Sequence, residues 1–435
     1  MEKDWSKEVD EGIQKSNNAP LLTSLDQLAL LEKHSRTSAD LASNTKVLLQ
    51  IIHLCYKAKD FKLLNENIVL LSKKRALLKQ AVTKMIQQAI IYVDELKDLT
   101  LKLELIDTLR TVTDGKIFVE VERARLTRTL TNIKESEGKI VEAAELLQEL
   151  QVETYGSMEK REKTDFILEQ FRLCLAKKDY VRAQIISRKI STKFFEDPQY
   201  SDLKIRYYTL MIQHSIHGDE FLKTCKNYRS LYDTPIVKEN DAQWKEALTN
   251  SVLFITLAPF DNEQSDLIHR INQDPQLAKL PLIKNFLKCF ITNELMRWSK
   301  IDELYGATLK ATNVFPVAQE EGKKRYEVLH KRVIEHNIRV ISKYYKRITL
   351  KKLTVLLDLP AAEAEEFLSD LVVKKTIYAR IDRLAGIVNF EAKKDANSVL
   401  NEWSNTIHSL LDLIVKTNHL IAKEEMVHSI TKNIE

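Results

Sequence analysis

Residues 343–390 read KYYKRITLKKLTVLLDLPAAEAEEFLSDLVVKKTIYARIDRLAGIVNF, and the spacing of their apolar residues changes along the stretch. A short apolar helix is predicted over 350–357, and Pro360 suits the start of a second helix over about 361–374. The apolar residues of that second helix share one face: Ala364, Phe367, Leu368, Leu371 and Val372. The pattern then alternates as in a strand, turns near Gly386 and returns. Two helices followed by a two-stranded ribbon predict a winged helix.

The outer face of the second predicted helix is acidic. Glu363, Glu366 and Asp370 lie at helical spacing, with Glu365 beside them. A helix that enters the major groove needs hydrogen-bond donors there, and phosphate attraction supplies most nucleic-acid affinity. The charge therefore predicts a protein partner rather than DNA.

Composition indicates a soluble, multidomain protein. The chain has 435 residues, enough for two or three domains, and is 44% hydrophobic and 30% charged. The longest uncharged apolar run, 252–260, is too short for a membrane span. The charged N-terminus lacks the apolar core of a signal peptide. We expect a protein of the cytoplasm and nucleus that contacts no membrane.

Catalytic and cofactor motifs are absent from the sequence. Its eight glycines are widely scattered, and even the closest two, Gly306 and Gly322, are too far apart for a phosphate-binding loop or a nucleophile elbow. Four scattered cysteines form no C-x-x-C pair, so buried free thiols are expected. His214 and His217 lack a convincing set of further metal ligands. We expect no enzyme activity, catalytic residue, cofactor, metal or small-molecule substrate; a metal-dependent hydrolase is the most remote alternative.

Helical periodicity dominates residues 21–298, and its breaks recur. Short polar turns at 58–61, 137–140, 178–180 and 218–221 each end in an apolar anchor: Phe61, Ile140, Tyr180 and Phe221. The last three anchors are almost evenly spaced, and the first precedes them by twice that spacing. One helix pair per roughly 40 residues is typical of an α-solenoid. We predict an all-α dominated protein: a mobile tail over 1–20, then a solenoid of TPR-like helix pairs over 21–322. An irregular helical domain is the alternative.

Two further segments complete the predicted architecture. A long lead-in helix and the winged-helix module together are predicted over 323–392. A C-terminal helix is expected over 397–435. The apolar residues of that last helix step by three and four residues, as in a coiled-coil seam, until the pattern weakens at 417–418: Leu400, Trp403, Ile407, Leu410 and Ile414. Such a seam needs a partner helix. The alternative is that it folds back on the solenoid of its own chain.

A basic cluster surrounds the start of the winged helix: Arg332, Arg339, Lys343, Lys346, Arg347, Lys351 and Lys352, with Tyr344 and Tyr345. These side chains could contact RNA through phosphate attraction and stacking. They could equally meet an acidic partner subunit or stay solvated. No base-reading motif accompanies them, which favours the last two interpretations.

An α-solenoid that runs into a winged helix resembles the PCI architecture, which subunits of the proteasome lid, the signalosome and translation initiation factor three share. The segments LLDL (356–359), EEFLSDLV (365–372) and IYARIDRLAGIVNF (377–390) resemble the PCI signature. Five upstream blocks resemble the family of non-ATPase lid subunit five of the proteasome regulatory particle: GKIFVEVERARLT (115–127), LQVETYGSMEKREKTDFILEQ (150–170), LAKKDYVRAQIISRKI (175–190), LAPFDNEQSDLIHRI (257–271) and ITNELMRW (291–298).

This resemblance implies a non-catalytic scaffold in a hetero-oligomer with other PCI-domain lid subunits and neighbouring proteasome subunits, in support of ubiquitin-dependent protein degradation. The winged helix would associate laterally, by strand addition at an edge formed by Ile377, Ala379, Ile381, Ile387, Val388 and Phe390. The seam from Leu400 to Ile414 would join a bundle of terminal helices. The alternatives are a PCI subunit of the signalosome and an RNA-contacting PCI subunit of a translation initiation factor.

Overall fold

The computed structural model describes residues 6–16, 20–74, 78–316, 319–391 and 395–432, with side chains from 8 to 428. Nearly all regular structure in these residues is helical, with one small sheet, which confirms the prediction of an all-α dominated fold. The chain divides into two compact units between Leu248 and Thr249. This division lies upstream of the predicted boundary after residue 322, so 249–322 share a unit with the winged helix.

The first unit is entirely helical where it is described. Its helices are α1 Ser6–Ser16, α2 Leu21–Thr37, α3 Leu41–Lys57, α4 Phe61–Lys73, α5 Lys79–Glu95, α6 Leu99–Thr113, α7 Glu120–Ser136, α8 Ile140–Gln148, α9 Lys160–Ala176, α10 Tyr180–Ser187, α11 Ser201–His217, α12 Phe221–Tyr232 and α13 Pro235–Glu239. The next helix, α14, runs from Asp241 to Leu257 and contains the division between the units.

The second unit combines seven further helices with three strands. These elements are α15 Asn262–Asn272, α16 Pro281–Ile291, α17 Trp298–Lys310, α18 Glu320–Tyr344, β1 Arg347–Thr349, α19 Leu350–Leu357, α20 Ala361–Val373, β2 Arg380–Asp382, β3 Ile387–Asn389 and α21 Ala396–Lys432.

The recurring turns of the solenoid share one backbone geometry. Each contains a residue of positive φ: Lys59, Gly138, Lys178 and Asp219. The amide of the following residue donates to a carbonyl five residues earlier, as Asp179 does to Cys174 at 2.9 Å. This pairing satisfies carbonyls that the helix end leaves free. A fifth turn of this type, at Ala39, joins α2 to α3. Sequence analysis missed it, although an aspartate followed by an apolar anchor occurs there as at Asp179.

Helices of the first unit pack mainly on near neighbours in the chain. Helix α3 contacts α5, α9 contacts α11, and the pairs α7–α8 and α9–α10 lie side by side. Ala143 and Ala183 occupy corresponding places in the latter two pairs, and both are fully buried. Small buried residues at these places let the paired helices approach closely. This arrangement agrees with the predicted solenoid of helix pairs.

Ion pairs connect three alternate solenoid helices, α7, α9 and α11. Arg172 of α9 donates to Glu135 of α7 at 2.8 Å, and Arg206 of α11 donates to Asp165 of α9 at 2.5 Å. Glu169 accepts from both arginines. The hydrogen bond from Arg172 lowers the pKa of Glu135, so this carboxylate stabilises the fold above its unfolded pKa. That contribution is lost as the pH falls through the lowered value.

The N-terminal residues differ from the predicted mobile tail. Residues Ser6–Ser16 form a helix that packs on α2 and α3. Val9 is completely buried, and Ile13 one turn later packs against the same core. The two apolar residues are too few to stand out in a polar segment, so only the packing reveals the helix. The rest of the predicted tail, apart from Pro20, lies outside the described residues.

The winged helix forms as predicted, with α18 as part of its core. Helix α19 has the predicted bounds, and α20 ends one residue earlier than expected. Ala364, Leu368 and Leu371 of α20 are buried, whereas Phe367 and Val372 are only partly buried. Except for Val372, they share one apolar cluster with residues of α18, α19 and the sheet region: Ile334, Ile338, Ile341, Ile348, Leu353, Leu357, Val388 and Phe390.

The sheet has three antiparallel strands in the order β1-β3-β2, where sequence analysis predicted a two-stranded ribbon. The missed strand β1 pairs Ile348 with Val388 of β3. The Leu350 amide donates to the Gly386 carbonyl at 2.8 Å at one end of this pairing. A single apolar residue between two polar neighbours leaves β1 with no alternating pattern to detect. Strand β3 is therefore central and bonded on both sides.

Two substitutions in α20 test this core. Leu371 is 2% exposed, whereas Val373, two residues further along the helix, is 76% exposed. We expect Leu371→Asp to lower the thermal unfolding midpoint by at least about 5 °C, because a buried carboxylate without a partner is costly. Val373→Asp should change the free energy of unfolding by no more than about 1 kcal/mol. Circular dichroism melting of both full-length variants makes the comparison; equal melting curves would rule out this packing.

Candidate protein-interaction site

Helix α21 is a continuous helix of 37 residues and runs unbroken through the point where its apolar pattern weakens. Every described side chain from 396 to 428 is exposed. The predicted seam residues are therefore uncovered, with Trp403 64% and Ile407 37% exposed. Leu400, Leu410 and Ile414 are each more than half exposed. The described structure thus leaves the predicted seam uncovered, and its role in binding a partner stays a prediction.

Helix α21 carries a second apolar stripe along its length, and the sequence analysis missed it. Leu413, Leu420 and Val427 recur at every seventh position, and all three are at least half exposed. With a helical step of about 100° per residue, they lie about 120° around the helix from the seam. A helix with two apolar stripes fits between two neighbouring helices rather than against one. The seven-residue spacing of this stripe is present in the sequence, but the more frequent apolar residues of the seam made it harder to recognise.

The predicted wing edge needs correction. Ile387 belongs to the central strand β3, Val388 is completely buried and Phe390 is 8% exposed. These three residues cannot receive an added strand, because β1 and β2 already occupy both sides of β3. Ile377 and Ala379 precede β2 and pack against the winged-helix core. Only Ile381 lies in an edge strand. The error arose because no local pattern indicated β1.

A groove of about 980 Å³ lies beside the free edge of β2, between that strand and α20. Its apolar part includes Val373 and Leu384, both strongly exposed, together with Ile381. One of its five charged residues is Arg383, and the other four are acidic: Glu365, Glu366, Asp370 and Asp382. Glu365 accepts from Arg383, which leaves most of the negative charge uncompensated at the groove. We call this feature the β2 groove.

The predicted basic cluster divides in the structure. Arg332 donates to the Leu257 carbonyl at 2.9 Å and to Glu335 at 2.6 Å, so it serves the interior of its own unit. Arg339 stacks on Phe260. The basic residues exposed near β1 and the start of α19 are Lys346, Arg347, Lys351 and Lys352. The edge beside β1 is thus basic, whereas the β2 groove on the opposite edge of the sheet is acidic.

The remaining candidate residues have structural contacts. His214 Nε2 lies 3.1 Å from the Tyr180 carbonyl oxygen, and His217 stacks on the Tyr180 ring at 3.5 Å. The described residues contain no group of three His, Cys, Asp or Glu side chains placed to hold a metal ion. Three of the cysteines are buried, and burial raises the pKa of Cys55 to about 11. Among the described helices, none is long and apolar enough to cross a membrane.

Comparison with protein families assigns the class first. A PCI-domain model matches 282–392, the region that carries the winged helix, so this chain is a PCI-domain protein. A PSMD12/CSN4 N-terminal model matches 23–240. A model of the 26S proteasome regulatory subunit RPN5 C-terminal domain matches 397–429, which is almost the whole of α21.

Curated relatives then define the family. The chain is 47% identical to the 26S proteasome regulatory subunit rpn501 of Schizosaccharomyces pombe, over 98% of this chain and 96% of the relative. It is 46% identical to the 26S proteasome non-ATPase regulatory subunit 12 of Dictyostelium discoideum, over 99% and 96%. It is also 46% identical to the 26S proteasome regulatory subunit RPN5 of Saccharomyces cerevisiae, over 94% and 92%. The chain belongs to the Rpn5/PSMD12 family.

Hydrogen exchange tests the exposure of α21. In the isolated full-length chain we expect amides of α21 to exchange at least about 100-fold faster than those in the buried part of α18, because tertiary packing protects only α18. Mass spectrometry of peptides from the two helices measures this difference within one sample. Comparable protection of both helices would mean that α21 folds back on its own chain.

Proposed function

We propose that this chain is a non-catalytic scaffold subunit of the 26S proteasome regulatory particle lid, in the cytoplasm and nucleus. In this role it would hold lid subunits together and support ubiquitin-dependent protein degradation. The observation that carries the proposal is α21: an uncovered helix with two apolar stripes, matched by the RPN5 C-terminal model. The relatives named as non-ATPase regulatory subunits support a role without ATP hydrolysis.

The free energy of apolar burial favours α21 packed in a complex over α21 exposed in the isolated chain. Burying one large apolar side chain stabilises a complex by about 1.5–3 kcal/mol, and the seam and second stripe together supply eight such residues. Without that burial a helix gains little beyond its backbone hydrogen bonds. The helix therefore suits a bundle in which at least two helices of other subunits cover its two stripes.

The winged helix supplies a second, lateral contact. Its two sheet edges are unlike, one basic beside β1 and one acidic and apolar at the β2 groove. Unlike edges favour head-to-tail association, in which each subunit presents a different surface to each neighbour. The β2 groove suits a neighbouring PCI subunit that offers an apolar side chain flanked by lysine or arginine. Charge complementarity of this kind sets register and discourages pairing of identical edges.

The signalosome and initiation-factor alternatives are less well supported. The N-terminal model is common to PSMD12 and CSN4, but the C-terminal model and the relatives are proteasomal. Two arginines of the basic cluster serve internal contacts, which weakens the argument for RNA.

Loss of the seam should prevent assembly without unfolding the chain. We expect the double variant Trp403→Ala, Ile407→Ala to enter the complex at less than about one tenth of the wild-type amount, since two central apolar contacts are lost. The matched control Asn405→Ala, His408→Ala alters the polar face of the same helical turns and should assemble normally. Native mass spectrometry of complexes isolated through a tagged chain gives the readout.

The melting temperature of each isolated variant completes this test. Both should match the wild type, because all four side chains are exposed. Normal incorporation of the seam variant would refute the proposed role of α21. A clear drop in its melting temperature would show instead that the seam packs on its own chain.

Charge within the β2 groove should weaken lateral association. We expect Val373→Asp to raise the Kd for a neighbouring PCI subunit at least tenfold, because it places a carboxylate at the apolar part of the contact. Val181→Asp, which alters an exposed valine of α10, serves as control and should leave the Kd within about twofold. Biolayer interferometry with purified lid subunits measures both. Equal Kd values would remove the β2 groove from the interface and leave the argument about α21 intact.

A further inference from the structure

A separate cavity of about 490 Å³ lies within the second unit, away from α21 and the β2 groove. Helices α15, α16 and α18 line it, together with residues 376–378 before β2 and Phe390 after β3. Its volume falls within the range of small-molecule sites, about 300–1,000 Å³. Neither the family comparison nor the proposed scaffold role assigns a purpose to this cavity.

The charge of the cavity lining is of one sign. Helix α18 contributes His336, Arg339 and Lys343, which share one face because they follow helical spacing. Helix α15 adds His269. None of the lining residues, all in the described part of the chain, is an aspartate or glutamate. The cavity thus gathers two permanent cations and two imidazoles without a carboxylate in its wall.

Arg339 is held in place but incompletely paired. The centre of its guanidinium lies 3.7 Å from the centroid of the Phe260 ring, which fixes its plane. Its Nε is buried and has no hydrogen-bond partner in the described structure. Burial lowers the pKa of Arg339 to about 10, so the side chain remains cationic at neutral pH. Glu335 attracts the guanidinium electrostatically, but the buried Nε–H has no acceptor, which is costly unless a ligand supplies one.

His336 provides a second unused donor or acceptor beside it. The residue is 4% exposed, and its Nε2 also lacks a hydrogen-bond partner among the described residues. Each of these two buried nitrogens therefore has hydrogen-bonding capacity that a ligand could use. Lys343, one turn further on, is exposed, and its Nζ lies 2.8 Å from Asn293 Oδ1. It can therefore reach an anion that enters from solvent.

We propose that this cavity binds a phosphate monoester. Arg339 and Lys343 would neutralise the phosphate, whose charge of about −1.5 to −2 at neutral pH matches their two positive charges. His336 would donate through Nε2–H. The aromatic residues of the wall, Phe290 and Tyr378 among them, would contact the esterified group. The ester could belong to a free small molecule or to a phosphorylated protein side chain, since both present the same dianion.

Calorimetric titration of the full-length chain tests this site. The probes are inorganic phosphate, adenosine monophosphate and a phosphoserine peptide, each at constant ionic strength set with chloride. We expect saturable binding, and at least a tenfold rise in Kd on Lys343→Gln because a charged phosphate contact is lost. Lys351→Gln removes an exposed cation outside the cavity and should leave the Kd within about twofold. Arg339→Gln should abolish binding, provided that its melting curve matches the wild type.

The outcomes separate the sources of the ester and decide the proposal. Tighter binding of adenosine monophosphate indicates a small ligand with an aromatic group, whereas tighter binding of the peptide indicates a phosphorylated protein. The absence of saturable heat for all three probes up to about 10 mM overturns the proposal, as does an equal Kd for the Lys343→Gln and Lys351→Gln variants. Neither result affects the scaffold role, because assembly through α21 does not involve this cavity.

Discussion

The packing of α18 against the winged helix is the contact on which the rest of the second unit depends. Ile334, Ile338 and Ile341 enter the same apolar cluster as Leu353 and Leu368, so α18 forms one wall of the module as well as leading into it. Because the isoleucines fix the rotation of the helix, they also fix where its other side chains point. His336, Arg339 and Lys343 therefore line the cavity as a direct consequence of the core contact. A change in that core would alter the charged site without touching it.

Because both edges of β3 are paired with other strands, the winged helix can bind a partner only through other surfaces. Because β1 and β2 are hydrogen-bonded to its two sides, the central strand β3 has no unpaired edge. Contact must use the short outer strands or the surfaces beside them, and these carry opposite charge. The outer face of α20 is acidic as well, so this helix does not suit the major groove of DNA. This charge distribution supports the proposed contact of the winged helix with a neighbouring protein.

Helix α21 shows the opposite situation, in which nothing in the described structure covers its apolar residues. The two stripes expose apolar surface to water, which is unfavourable, so burial against other helices would stabilise α21. The solenoid, by contrast, is stabilised locally by turns that repeat one hydrogen-bond geometry and by ion pairs between alternate helices. The repeats are therefore packed on one another, whereas the apolar residues of α21 are left exposed.

Sequence alone determined the features that arise within one helix or one turn. The bounds of α19, the buried face of α20, the spacing of the solenoid turns and the seam of α21 all follow from short-range periodicity, since one turn of helix places i, i+3 and i+4 together. Tertiary structure decided what depends on contacts between distant residues. Strand β1 forms because Ile348 pairs with Val388, which lies far along the chain. Helix α1 forms because Val9 is buried in the core of the first unit. The central place of β3, the β2 groove and the cationic cavity follow from such pairings, which no local pattern specifies.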